Sequence, residues 1–98
     1  MWKNHRLSDH PRPLVRTLRT GVCGIVFVKR DGSLREALGT TDLTRIPARS
    51  HPKGRGRSIP GIITFYDLVK QEWRCFRRSG LIGWWRESAS AKADANEK

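Results

Sequence analysis

The sequence is poor in acid, cysteine and long apolar runs. Nine Asp and Glu stand against 20 Lys and Arg, leaving a formal net charge of +11 on 98 residues. Two cysteines are too few for a disulfide scaffold, so a reducing compartment, the cytoplasm, is expected. No apolar run approaches the ~20 residues that cross a bilayer, so no membrane role is expected. The first 19 residues are basic but lack the apolar stretch of a signal peptide. Cys23 and Cys75 lie far apart in sequence, and His5, His10 and His51 do not complete the close ligand pairs of a zinc site, so no metal is expected and the thiols read by default as buried and free, with a disulfide between adjacent strands as the alternative. There is no Ser/His/Asp context, no phosphate-cradling glycine loop and no paired-carboxylate motif. The chain therefore reads as a non-enzyme without a cofactor. Its length suits one small domain with tails and a limited core.

What is present is unevenly placed positive charge. The last 13 residues carry three basic residues (Arg86, Lys92, Lys98) and three acidic ones (Glu87, Asp94, Glu97), so the whole excess lies in residues 1–85. Met1 to Thr20 has five basic residues against Asp9 alone. Arg45 to Arg57 has five more, with His51 and no acid. Arg74, Arg77 and Arg78 form a third group. Arg outnumbers Lys 14 to 6. Guanidinium suits bidentate phosphate contact and stacking on bases, and self-repulsion in so basic a chain points to a polyanionic partner.

Apolar patterning places short strands between these groups. Pro13 to Thr20 predicts two helical turns, with Leu14 and Leu18 on one face and Gly21 as the C-terminal cap. Val22 to Lys29 is the clearest strand, β-branched and apolar on both faces, so it reads as central. Asp31-Gly32 predicts a hairpin turn that returns through Leu34 to Leu38. Thr40 to Ile46 predicts one helical turn with Thr40 or Thr41 as N-cap. Residues 47–61, rich in Pro, Gly and Arg, read as a long basic loop. Further strands are expected at Ile62–Tyr66, Trp73–Arg77 and Leu81–Trp85, with Asp67 capping backbone amides in the turn between the first two. The expected architecture is mainly β: a basic arm or short helix over 1–21, a five-stranded barrel over 22–85 and a disordered tail over 86–98.

Tyr66-Asp67-Leu68 followed by Trp73-Arg74-Cys75-Phe76-Arg77 resembles the closing hairpin of the WYL-type Sm-like SH3 β-barrel families. Phe27-Val28-Lys29-Arg30-Asp31-Gly32-Ser33-Leu34-Arg35 is similar to the first hairpin of their small stand-alone branch, found in bacteria, phages and mobile elements. The resemblance covers about residues 22–84 and implies an SH3/Sm-like barrel and association with nucleic acid. In the larger transcription regulators of this kind an Arg of the ligand-binding face stands where this chain has Gly80. That departure disfavours a nucleotide sensor, and the chain has no room for a winged helix-turn-helix.

The leading functional expectation is phosphate-directed binding of single-stranded or structured RNA or DNA, since no recognition helix is evident. The candidate contacts are Arg16 and Arg19 in the arm, Arg35 on the hairpin, and Arg45, Arg49, Lys53, Arg55 and Arg57 in the loop. Arg74, Arg77 and Arg78 follow on and after the fourth strand. Gly54-Arg55-Gly56-Arg57 resembles an RG-type contact segment, beside the plainer reading of a solvated loop. Trp73 and Phe76 read chiefly as core, with base stacking as the alternative. Of Trp84 and Trp85, at most one enters the barrel, because neighbours on a strand face opposite ways. The other packs under the N-terminal segment or faces a partner, which makes Trp85 a stacking candidate. The alternative function is a protein-interaction module of a phage or mobile element that engages an acidic host complex.

Overall fold

The computed structural model describes residues 6–52 and 59–87. Lys53, Arg55 and Arg57 lie outside the described residues, as do residues 88–98 of the expected tail. One helix, α1 (Pro11–Leu18), precedes five strands: β1 (Val22–Val28), β2 (Leu34–Thr40), β3 (Ile62–Asp67), β4 (Glu72–Arg77) and β5 (Leu81–Glu87). All pairings are antiparallel, in the order β4-β3-β2-β1-β5. β1 lies inside the sheet, paired with β2 on one side and β5 on the other, as its two apolar faces predicted, while β2 takes the middle place. Only Gly39↔Asp67 and Thr40↔Tyr66 join β2 to β3, against six register pairs between β3 and β4. This is the small, bent five-stranded sheet of an SH3/Sm-like barrel.

The Asp31-Gly32 turn forms as predicted. Gly32 takes φ +89°, which a side chain would resist, and the Asp31 carboxylate accepts from the Ser33 amide (3.0 Å) and hydroxyl (2.6 Å). The Ser33 hydroxyl, then its amide, hold the Asp31 carboxyl below its usual value. At the other hairpin, Asp67 is 2% exposed and accepts from the Val69 (2.9 Å) and Lys70 (3.0 Å) amides. That is the capping role expected of it.

Inside the bend, Phe27 stacks on Phe76 at 4.5 Å, and Phe65 meets both edge-on at 6.0 and 6.1 Å. Each such pair adds about 0.5–1.5 kcal/mol beyond its area burial. Leu14 and Leu18 close the core from the helix with Trp84 beside them in the same cluster. Cys23 is fully buried there, and burial pushes its thiol up to about 12 against the opposing pull of Arg86.

Several expected boundaries shift for physical reasons. The helix starts at Pro11, two residues before Pro13, because proline is tolerated throughout the first turn. It ends at Arg19 as C-cap instead of reaching Gly21. There Thr40, on β2, supplies the ending: its Oγ lies 3.1 Å from the Leu18 carbonyl and 2.7 Å from that of Gly21. The Thr41 amide also donates to Leu18 (2.8 Å). Thr40 is thus a buried strand residue, and Asp42 caps the 3-10 turn Leu43–Arg45 by accepting from the Thr44 amide at 3.0 Å. β5 runs two residues past the expected end, pairing Arg86 with Cys23 and Glu87 with Val22. The N-terminal segment is tied to β5. Ser8 and Trp84 exchange backbone hydrogen bonds of 2.9 and 2.8 Å, and Trp84 Nε1 donates to the His10 carbonyl at 2.9 Å.

Candidate functional site

The end of the β1–β2 hairpin and the end of β4 converge on a cleft of about 390 Å³. One wall is Val28, Lys29, Arg30 and Arg35; the other is Arg74, Cys75, Arg77 and the following 3-10 turn through Ser79 and Gly80. The walls meet because Gly80 crosses β1 closely: a Cβ there would stand 3.2 Å from the Val28 carbonyl oxygen. Ile62 and the rims of Phe27 and Phe76 supply apolar lining. Among the described residues, five cationic side chains and no carboxylate line this cleft. A concave, low-dielectric wall focuses such charge outward and raises the local concentration of anions.

The cations are not equivalent. Arg74 is already paired: its Nη2 lies 2.7 Å from Glu72 and its Nε 3.3 Å from Asp67. The Nε makes no hydrogen bond despite its burial, so the Asp67 contact is ionic attraction without alignment. Arg74 therefore stiffens the wall and offers little net charge. Among the described residues, no ion pair involves Lys29, Arg30, Arg35 or Arg77. Those four supply the free charge.

A second, more open cleft of about 510 Å³ lies between α1 and the turn after β4. Arg12, Arg16 and Arg78 line it, with His10, Pro11 and Pro13. Arg77 and Arg78 are consecutive but face different clefts, so the turn Arg78–Gly80 borders both.

The candidate residues thus separate into groups. Arg35, Arg74 and Arg77 come together in the first cleft, and Arg16 and Arg78 in the second. Arg19, Arg45 and Arg49 are exposed but line neither, and Arg45 is paired with Asp42 at 3.3 Å. Lys29, Arg30 and Arg12 were missed. The first two were legible in principle, since an Asp-Gly turn fixes the register that sets Phe27 opposite Arg35 and brings Lys29 alongside.

The aromatic candidates do not form an exposed platform. Phe76 is 5% exposed and belongs to the core. Trp73 lies edge-on to Tyr66 at 5.6 Å, and its Nε1 donates to the Ser50 carbonyl at 2.7 Å, which fastens the start of the long loop to the sheet. Trp85 is corrected as a stacking residue. It is 7% exposed, its indole covers Gly24 and its Nε1 donates to Glu87 at 2.6 Å. The alternation argument held, since Trp84 enters the core and Trp85 the opposite face. What it lacked was the bare backbone of Gly24, which gives the second indole a seat.

Among the described residues, no group of three His, Cys, Asp or Glu could hold a metal ion, and no helix is long and apolar enough to cross a membrane. A family model described as "WYL_2, Sm-like SH3 beta-barrel fold" matches residues 12–82. No curated protein and no solved structure matches the chain.

Proposed function

The chain belongs to the WYL_2 family of Sm-like SH3 β-barrels, and from that premise we propose that it is a non-catalytic module that binds nucleic acid chiefly through phosphate. The fold suits a small binding module. The observation that carries the reading is the cleft between the β1–β2 hairpin and β4, where Lys29, Arg30, Arg35 and Arg77 converge with no ion pair and no carboxylate in the lining among the described residues. Like charges crowded in this way repel one another in the free protein. A polyanion removes that repulsion and releases its own condensed counterions.

The chemistry favours phosphate over planar base recognition as the main source of affinity. The guanidinium groups of Arg35 and Arg77 suit bidentate contact with phosphate oxygens, and Lys29 adds a compact point charge. The aromatic rings near the cleft are held in the core or in structural contacts, so sequence-tolerant backbone contact dominates. The barrel supplies a rigid frame for these groups through β1, β2 and β4.

Binding of a fluorescent single-stranded oligonucleotide to the full chain tests this reading. Micromolar or tighter binding at low salt is expected, for RNA and DNA alike. No binding at tens of micromolar protein overturns it. Capture from lysate before and after nuclease treatment separates the competing possibility, because an acidic protein partner survives nuclease and a nucleic acid does not.

A further inference from the structure

We infer that the second cleft, between α1 and the turn Arg78–Gly80, is a further phosphate subsite, and that one flexible single strand spans both clefts across the ridge Arg77–Arg78. This rests on the nucleic-acid reading of the first cleft and extends it to a longer path. Three guanidinium groups, Arg12, Arg16 and Arg78, line the second cleft, and none has an ion-pair partner among the described residues. Pro11 and Pro13 contribute no N–H, so recognition there falls to side chains.

The two sites are joined covalently and closely. Arg77 lines the first and Arg78 the second, and neighbouring Cα atoms are only about 3.8 Å apart. The backbone that carries a guanidinium of one cleft therefore continues directly into the residue that carries a guanidinium of the next. The helix is held in place for this by Leu14 and Leu18 in the core and by the Trp84–His10 hydrogen bond. The second cleft is thus a fixed part of the surface.

The shape selects the class of strand. A cleft of about 390 Å³ admits a segment of nucleotide size, and the path then turns over the ridge Arg77–Arg78 into the next cleft. Duplex DNA is stiff over about 150 base pairs and would rest on the ridge and rims. An unpaired strand rotates freely about its backbone and follows both recesses. RNA and DNA share the phosphate chemistry used here, so the inference covers both.

Cys75 provides the readout, because it is exposed on the wall of the first cleft while Cys23 is buried and protonated. The full chain is titrated with thymidine or uridine oligonucleotides of four and twelve nucleotides, and protection of Cys75 from a maleimide is measured. The variants are Arg12→Gln/Arg16→Gln and, as a charge-matched control away from both clefts, Lys70→Gln/Arg86→Gln. The twelve-nucleotide strand should need at least tenfold higher concentration to protect Cys75 in the Arg12/Arg16 variant than in wild type, and less than threefold in the control. The four-nucleotide strand should protect all three proteins within threefold of one another. Equal effects of the two variants on the twelve-nucleotide strand would overturn the second subsite while leaving the first cleft intact. A duplex of twelve base pairs that protects as well as the single strand would overturn the strand selection. If no oligonucleotide binds wild type in the anisotropy assay, the nucleic-acid reading itself fails, and the inference with it.

Discussion

Replacing Gly24 with Ala probes the seat of Trp85. A methyl group at Gly24 would overlap Cζ2, Cε2 and Cη2 of the Trp85 ring, so the indole must move. An indole buries about 200 Å², worth about 5 kcal/mol at about 25 cal/mol per Å² if it were wholly expelled. Displacement by half costs about 2–3 kcal/mol, which agrees with the usual range for overpacking. For a domain of this size that lowers Tm by about 10–20 °C. The decisive assay is a double-mutant cycle by thermal and urea denaturation. Trp85→Ala alone should cost about 3–5 kcal/mol. In that background Gly24→Ala should be neutral or stabilise by about 0.5 kcal/mol, because a strand glycine is intrinsically worse than alanine. If Gly24→Ala costs the same in both backgrounds, or nothing in wild type, the indole does not rest on Gly24. Trp85 then returns as a candidate contact.

Further expectations follow from the same contacts. Trp85→Phe should leave oligonucleotide affinity within twofold of wild type, since the ring is structural; a large loss measured by anisotropy on a folded variant would contradict this. Asp67→Ala leaves two turn amides without their acceptor and Arg74 with Glu72 alone, and should cost about 3 kcal/mol in urea unfolding. The Cys23 thiol is raised from 9.0 to about 12, so the folded chain keeps a proton that the unfolded chain releases. Stability should therefore fall as pH rises above 9.0, and Cys23→Ala should flatten that alkaline slope. The Asp42 carboxyl is lowered from 3.8, chiefly by the Thr44 hydroxyl, which outweighs the opposing effect of burial, with smaller help from the Thr44 amide and Arg45. Its contribution is present above 3.8 and lost as pH falls through the folded value, so Asp42→Asn should reduce the acid dependence of unfolding.

The parts of the fold that were legible in the sequence are those dictated locally. The β-branched run of β1, the Asp31-Gly32 turn and the Asp67 cap each rest on a few adjacent residues whose preferences agree. The Leu14/Leu18 face was legible for the same reason. The helix ending at Thr40 was not, because its partners are 19 and 22 residues away in sequence. Trp85 was misjudged because strand alternation reports which side a residue faces and says nothing about what covers that side. The site was half legible. Charge clustering found Arg35, Arg77, Arg16 and Arg78, but the division into two clefts comes from a turn that sends consecutive arginines to different sides. Arg74 looked like its neighbours in sequence, and only the fold brings Asp67 and Glu72 against it.

The central claim is that the free cations of the first cleft contact phosphate. The most direct measurement is the salt dependence of oligonucleotide affinity for wild type and for Arg35→Gln/Arg77→Gln. Each contact to a single strand contributes about 0.7 to the slope of log affinity against log salt. Lys29, Arg30, Arg35 and Arg77 together predict at least about 2.8 for a strand confined to that cleft, or about a 50-fold loss between 50 and 200 mM salt. The double variant should be shallower by about 1.4. An unchanged slope in the variant, or a wild-type slope near zero, would contradict the account.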